Sequence, residues 1–187
     1  MTPHKVDSRV DLRAERLETS ARFIAAGVAT LGVLVLLGWA VDSRTLKSVV
    51  PGLVAMNPLT AIAFLLAGGS LWLSLARFDA TQARRLAAAC AGAVVILAVL
   101  RILGYMGTDL GIDRVLFFGR LDAQPIPNRM APNTAAAFLL AGLALLGLGS
   151  KARWMRGATQ FLTFLLLALA MVTLSGYAYS AGGLVQV

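Results

Sequence analysis

A sixteen-residue block occurs twice in this chain and constrains its fold more than any other feature. Residues 56–71 (MNPLTAIAFLLAGGSL) align without gaps with residues 130–145 (MAPNTAAAFLLAGLAL), and 11 of the 16 positions are identical. Each copy follows an apolar stretch and a loop. A repeat of this kind indicates tandem copies of one supersecondary unit. We therefore expect an all-α protein built from helical hairpins.

Five stretches lack Asp, Glu, Lys, Arg and His and approach the roughly 17 to 25 residues that a membrane-spanning helix needs. Only 14% of the residues are charged, against about 25% in soluble domains. The third stretch is short, and we expect it to extend past Arg101, whose side chain would reach out of the apolar layer. The sequence thus predicts a polytopic membrane protein with five transmembrane helices. The stretches are residues 23–40, 58–76, 86–100, 132–149 and 158–179.

The net charge of +8 is distributed unequally between the two ends of these stretches. Eleven of the 17 Lys and Arg residues lie in residues 1–22 or in the loops after the second and fourth stretches. Such loops are normally cytoplasmic. We therefore expect residues 1–22 to form a cytoplasmic helix that runs into the membrane. Residues 23–180 would form the membrane domain, and residues 181–187 an extracytoplasmic tail. This distribution explains the basic charge without nucleic acid as a partner.

The repeated block has the residues that begin a helix. Each copy carries a proline at its third position, which suits the first turn of a helix. Asn57 can cap the first helix, whereas Ala131 at the matching position cannot. We expect Asn133 or Thr134 to help at the start of the second helix.

Small residues follow at helical spacing inside both copies. Alanine and glycine let helix backbones approach closely in lipid. The favoured interpretation of the block is therefore a motif for starting and packing helices. The residues predicted to pack against neighbouring helices are Ala63, Ala67, Gly68, Ala137, Ala141 and Gly142.

A ligand site at the start of the repeated helices is the competing interpretation. Both helices would begin at the outer face, and the positive ends of helices attract anions and polar head groups. Asp42 and Asp113 are alternative partners for Arg44 and Arg114, and such pairs would neutralise the site. The candidate ligand-binding residues are Asn57, Thr60, Arg114, Asn133 and Thr134.

Residue types that carry catalysis or bind metals are scarce. The single histidine is His4, and the single cysteine, Cys90, lies inside the third stretch, where we interpret it as a packing residue. We expect no catalytic residues, no metal, no cofactor and no enzyme activity. Trp39 and Trp154 lie near the ends of stretches and are interpreted as interfacial anchors, and Trp72 as part of a packing stripe.

The pattern Met-x-Pro-x-Thr-Ala-x-x-Phe-Leu-Leu-x-Gly, present at residues 56–68 and 130–142, resembles the N-terminal multi-pass membrane region of bacterial sensor histidine kinases and related signalling proteins. The resemblance covers residues 23 to 180 and implies a sensory input module in the bacterial inner membrane. In that membrane the extracytoplasmic tail expected from the charge distribution would be periplasmic. In that family three hairpins usually precede cytoplasmic PAS, kinase or cyclase domains. This sequence lacks the sixth helix, the phosphoacceptor histidine and the ATP-binding motifs, so the resemblance does not imply kinase activity.

The third unit of the repeat is incomplete. Ser175-Gly-Tyr177 resembles Leu103-Gly-Tyr105, but no second block follows it. The alternative function is therefore an accessory subunit of a larger membrane complex, respiratory or photosynthetic, that acts through helix contacts. The expected partners are membrane lipids and other membrane subunits or a second copy of the chain. A transporter ranks third, because no stretch has the charge or the broken helix that transport sites use.

Overall fold

The predicted all-α fold is confirmed. A computed structural model describes residues 3–48, 55–76, 80–108, 111–112, 116–117, 119, 121, 128–150 and 152–184. The described residues are 85% helix and contain no strand. The helices are α1 (Pro3–Ala40), α2 (Arg44–Ser48), α3 (Pro58–Ser74), α4 (Ala80–Tyr105), α5 (Pro132–Leu148) and α6 (Arg153–Leu184).

Among the described residues, three helices are long and apolar enough to cross a membrane, which indicates a membrane protein. Their apolar portions are Arg13–Ala40, Thr81–Tyr105 and Arg153–Gly176. The repeated helices α3 and α5 are apolar and shorter, with 17 residues each. At 1.5 Å per residue each is about 26 Å long, slightly less than the roughly 30 Å hydrocarbon layer.

The cytoplasmic helix predicted for residues 1–22 is continuous with the first apolar stretch. Helix α1 has 38 residues and a length of about 57 Å, nearly twice the hydrocarbon thickness. Arg22 lies near the middle of this helix and donates a hydrogen bond to Glu18 at 2.7 Å. It also donates to the carbonyl oxygen of Leu75, at the C-terminal end of α3. Arg22 therefore joins the base of the α1 extension, Pro3–Arg22, to α3.

The two repeated helices lie at the centre of the molecule. Helix α3 packs against α1, α4 and α5, and α5 packs against α4, α3 and α6. We call α3 and α5 the inner helices, and α1, α4 and α6 the outer helices. Phe64 and Phe138, which occupy the same position of the repeated block, meet edge to face with their ring centroids 5.0 Å apart. The repeated blocks thus contact each other directly.

The two ends of the molecule differ in composition. Helices α1 and α4 end where the inner helices begin with their prolines, and we call this the proline end. The inner helices end where α4 and α6 begin, and we call this the charged end because Arg84, Arg85, Arg153 and Arg156 lie there. Contacts between consecutive helices are consistent with this antiparallel order, because Ser70 near the end of α3 donates to the carbonyl of Ala87 near the start of α4.

Equivalent glycines set the spacing between inner and outer helices. A Cβ atom built on Gly68 would lie 2.7 Å from backbone atoms of Ala25 and Ala29 in α1. One built on Gly142 would lie 3.2 Å from the carbonyl oxygen of Ala91 in α4. Gly68 thus contacts α1 at position 25, and Gly142 contacts α4 at position 91. The α1–α3 and α4–α5 contacts are therefore built in the same way.

Two tryptophans differ from their sequence interpretations. Trp39 is completely buried rather than interfacial. Trp72 is 47% exposed rather than packed. Four-residue spacing advances 40° beyond a full turn at each step, so Trp72 lies about 120° around the helix from Thr60. Trp72 therefore does not lie on the same helix face as Thr60, although the spacing of four predicted that it would.

Candidate functional site

Equivalent hydrogen bonds join α1 to the start of α3 and α4 to the start of α5 at the proline end. The Nε1 atom of Trp39, at the end of α1, donates to the carbonyl oxygen of Met56 at 2.8 Å. The hydroxyl of Tyr105, at the end of α4, donates to the carbonyl oxygen of Met130 at 2.6 Å. Each methionine stands two residues before the proline that begins an inner helix. An aromatic donor thus ties the end of α1 to the start of α3, and another ties the end of α4 to the start of α5.

A cation lies over each of these aromatic rings. The Nζ atom of Lys47 is 4.4 Å from the ring centroid of Trp39, and the Cζ atom of Arg101 is 4.1 Å from that of Tyr105. Such contacts stabilise by about 2 kcal/mol or more at desolvated sites and by about 0.5 to 1 kcal/mol at exposed ones. Trp39 is completely buried, whereas Tyr105 is 46% exposed. Lys47 also pairs with Asp42. The sequence offered Arg44 as an alternative partner of Asp42, and the structure pairs Asp42 with Lys47.

Arg101 does not reach out of the apolar layer as predicted. Its side chain is 1% exposed, and its Nε atom donates to the carbonyl oxygen of Met130 at 3.1 Å. The carbonyl oxygen of Met130 and the ring of Tyr105 are therefore partners of Arg101 inside the protein. The sequence contained a signal for this arrangement, because Arg101 precedes Tyr105 by four residues and lies on the same helix face.

Two asparagines join the loops that precede the inner helices. Asn57 accepts a hydrogen bond from the backbone N–H of Leu59 at 2.8 Å, which confirms the predicted cap. Its amide donates to the carbonyl oxygen of Asn128 at 2.6 Å, and the amide of Asn128 donates to the carbonyl oxygen of Ala55 at 2.8 Å. At α5, Asn133 accepts from the N–H of Thr134 at 3.0 Å.

Residues of the long connection between α4 and α5 pack against α1 and α3. Phe117 stacks on Trp39 with the ring centroids 6.2 Å apart. Leu121 is 6% exposed and packs with Val35, Trp39 and Ala61. Residues of this connection therefore contact α1 and α3, although the connection leads to α5.

An apolar groove about 700 Å³ in volume lies between α1, α3, α5 and α6. At its proline end, Asn133 donates to the Thr173 hydroxyl at 3.3 Å. Near its charged end, the Thr159 hydroxyl is buried and has no hydrogen-bond partner among the described residues. The lining includes Ala25 and Val28 of α1, Phe64, Ala67, Gly68 and Leu71 of α3, residues of α5 from Asn133 to Leu148, and residues of α6 from Thr159 to Leu174.

The predicted ligand residues are not all placed together. Asn57 and Thr60 are 3% and 7% exposed, and neither lines the groove. Asn133 and Thr134 both line it, and Arg114 lies outside the described residues.

The predicted packing residues divide between the core and the groove. Ala63 is 1% exposed and belongs to the hydrophobic core. Gly142 is also buried, against α4. The remaining four residues line the groove. Two of these four make a further contact, because Ala67 packs against the hydrophobic core and Gly68 lies against helix α1. The residues that line the groove are Ala67, Gly68, Ala137 and Ala141.

The chemistry of the proline end is hydrogen bonding and cation–aromatic contact. In the part of the chain that the structure describes, no group of three or more His, Cys, Asp and Glu residues could hold a metal ion. Comparisons with protein-family models, with curated proteins and with solved structures find no match. Function must therefore be inferred from the contacts themselves.

Proposed function

We propose that this protein is a non-catalytic membrane module of the sensory input type, in which a change at the proline end moves the α1 extension at the charged end. The observation that carries the proposal is the continuity of α1, a single helix from Pro3 to Ala40 that is fastened to α3 at two places. Trp39 holds the proline end, and Arg22 holds the charged end. The resemblance of the repeated block to input regions of sensor kinases supports the same function.

The proposal includes a membrane topology. All five long helices cross the inner membrane of a bacterium, as two hairpins followed by α6. The charged end faces the cytoplasm, and the proline end faces the periplasm. The asymmetric distribution of Lys and Arg supports this orientation. The α1 extension then lies in the cytoplasm, where a regulated partner would be reached.

The contacts of α1 provide the means of coupling. Gly32 and Gly68 bring the backbones of α1 and α3 together, because a Cβ atom on either would lie within 2.7 Å of a backbone atom of the other helix. Close-packed protein interiors have low compressibility and transmit strain. A displacement of α3 at the loops tied by Asn57 and Asn128 would therefore be passed to α1 and to Arg22.

Spin labels test this coupling in the full chain. Labels at Ala14→Cys in the α1 extension and Gly157→Cys in α6 report the distance between them in nanodiscs, with the native cysteine replaced by alanine. Trp39→Phe removes the hydrogen bond to Met56 and keeps an aromatic ring. We expect it to shift or broaden the distance distribution. Phe161→Leu, at an exposed position of α6, is the control. An unchanged distribution in a folded Trp39→Phe protein contradicts the proposal.

The second candidate function is an accessory subunit of a larger membrane complex. The observation that favours it is the exposure of α6, whose apolar portion has 0% of its residues buried. Phe164 and Val172 are each 71% exposed. Native mass spectrometry after gentle solubilisation tests this function. Partner subunits at a fixed stoichiometry would support it, and the chain without protein partners would contradict it.

A further inference from the structure

The groove between α1 and α6 has the shape of a site for a helix. On α6 its lining follows positions 159, 163, 166, 170 and 173, which alternate by four and three residues as in the seam of two packed helices. The lined length of α6, from Thr159 to Leu174, is about 22 Å. On α5 the lining runs from Asn133 to Leu148, along almost the whole helix. The groove is thus as long as an inner helix is.

The internal repeat places α6 beside α5 as it places α4 beside α3. Near the charged end, α4 meets α3 where Ser70 donates to the carbonyl of Ala87. Helix α6 meets α5 where Gly147 lies against Thr159. When Tyr177 is aligned with Tyr105, Thr159 aligns with Ala87. The matched positions on the two outer helices, Ala87 and Thr159, therefore both contact the preceding inner helix.

Helix α4 has a second neighbour that α6 lacks in this structure. One turn beyond Ala87, Ala91 of α4 receives Gly142 of its own inner helix, α5. The position on α6 that matches Ala91 is Thr163, which is exposed and lines the groove. By the same alignment Val95 matches Leu167, which is 58% exposed. The groove is therefore the place where an inner helix belonging to α6 would lie.

The inner helices also leave room for a third helix of their kind. Phe64 and Phe138 meet each other and line the groove. From the other side, Ala25 and Val28 of α1 complete the wall. A helix in the groove would thus contact two inner helices and two outer ones, and would complete the arrangement that the repeat begins.

We propose that the groove binds one transmembrane helix of the inner type, a proline-initiated apolar helix of about the length of α3 and α5 with small residues along one face. This inference concerns a surface and does not depend on the coupling through α1. A variant that abolishes that coupling would leave the binding of a helix to the groove unchanged.

A peptide with the sequence of residues 128–150 is the probe, because it contains an inner helix with its loop and cap. The full chain, labelled at Gly157→Cys with Cys90→Ala, is reconstituted in vesicles of phosphatidylcholine and phosphatidylglycerol. Energy transfer from a labelled peptide measures binding. We expect saturable transfer, and none above the random level with a scrambled peptide of the same composition. Equal transfer from both peptides, or none from either, would show that lipid fills the groove and would overturn the proposal.

Two substitutions on α6 locate the binding site. Ala170 lines the groove, whereas Ala168 does not and is exposed on the same helix. Ala170→Trp should weaken peptide binding by about tenfold or more, because the added ring occupies the place of the helix. Ala168→Trp should leave binding unchanged. Val28→Trp, on the α1 side of the groove, should weaken peptide binding as Ala170→Trp does. Because Val28 lies on a different helix, a loss of binding in both variants would not result from a local folding defect in α6.

The same samples distinguish a second copy of the chain from a separate helix. Two batches of protein with different labels are mixed without peptide. Energy transfer that Ala170→Trp abolishes and Ala168→Trp preserves would mean that another copy occupies the groove, which would overturn the proposal. Peptide binding that is insensitive to Ala170→Trp and to Val28→Trp would overturn it as well.

Discussion

At the scale of single residues, the most informative contacts are those between side chains and the carbonyls before the inner helices. Trp39 and Tyr105 serve different helices, yet each donates to a methionine carbonyl at the same position of the repeat. A carbonyl in an apolar region is costly when it has no donor. The sequence alone indicated aromatic residues near the ends of apolar stretches, which is also typical of interfacial anchors. The burial of Trp39 depends on tertiary contacts such as that with Phe117, which no local pattern reveals. Tyr105 remains 46% exposed.

Removal of one donor tests the contribution of this bond. Tyr105→Phe keeps the ring and deletes the hydroxyl, so Met130 retains only part of its hydrogen bonding. We expect the free energy of unfolding to fall by about 1 kcal/mol. Tyr179→Phe, at a position that is 85% exposed, is the matched control and should change stability by less than about 0.5 kcal/mol. Denaturant titration in mixed micelles measures both. Equal effects of the two variants would mean that the bond adds nothing specific.

At the scale of helices, the repeat predicted more than the composition did. Prolines begin α3 and α5 where the block predicted, and the small residues bring those helices close to α1 and α4. The helix predicted from the third stretch extends past Arg101, as expected, but it also begins before residue 86, the predicted start of the stretch. Helix α4 continues from Ala80 to Tyr105 because charged residues at the ends of an apolar helix continue its backbone without a break. A criterion based on the absence of charge stops at Arg85 and Arg101, although the helix does not.

Adjacent glycines in α3 test the close packing of helices. A Cβ atom on Gly68 would lie 2.7 Å from α1 backbone atoms, whereas one on Gly69 would meet nothing within 4 Å. Gly68→Ala should therefore lower the free energy of unfolding by about 1 to 3 kcal/mol. Gly69→Ala should be neutral or stabilising, because alanine favours the helix by up to about 1 kcal/mol. Thermal and denaturant unfolding of the two variants checks this difference. A Gly68→Ala protein as stable as Gly69→Ala would refute the predicted contact.

A double-mutant cycle tests the contact between the repeated helices. Phe64→Leu and Phe138→Leu each remove one ring of the edge-to-face pair. We expect a coupling energy of about 0.5 to 1.5 kcal/mol between them. The pair Phe64→Leu and Phe161→Leu is the control, because Phe161 is 64% exposed on α6. Strictly additive effects at Phe64 and Phe138 would place the inner helices apart in the membrane.

At the scale of the whole molecule, the helices form two similar pairs and a sixth element, α6, whose main contact is α5. The repeat predicted the two pairs but not the groove, because a pattern along the chain does not specify on which side of α5 the last helix lies. The separation of charge between the two ends supports the proposed direction of every helix. The central claim of this account is that α3 and α5, with 17 residues each, cross the membrane as the longer helices do.

The accessibility of single cysteines from the two sides of the membrane tests this claim most directly. In a variant without the native cysteine, residues Ala14, Arg44, Gln82, Thr108 and Gly149 are replaced one at a time and treated with an impermeant thiol reagent in intact cells. We predict that cysteines at positions 44 and 108 react from outside, and that those at 14, 82 and 149 react only after permeabilisation. If positions 44 and 82 were labelled from the same side, α3 would not cross the membrane. If positions 108 and 149 were labelled from the same side, α5 would not cross it.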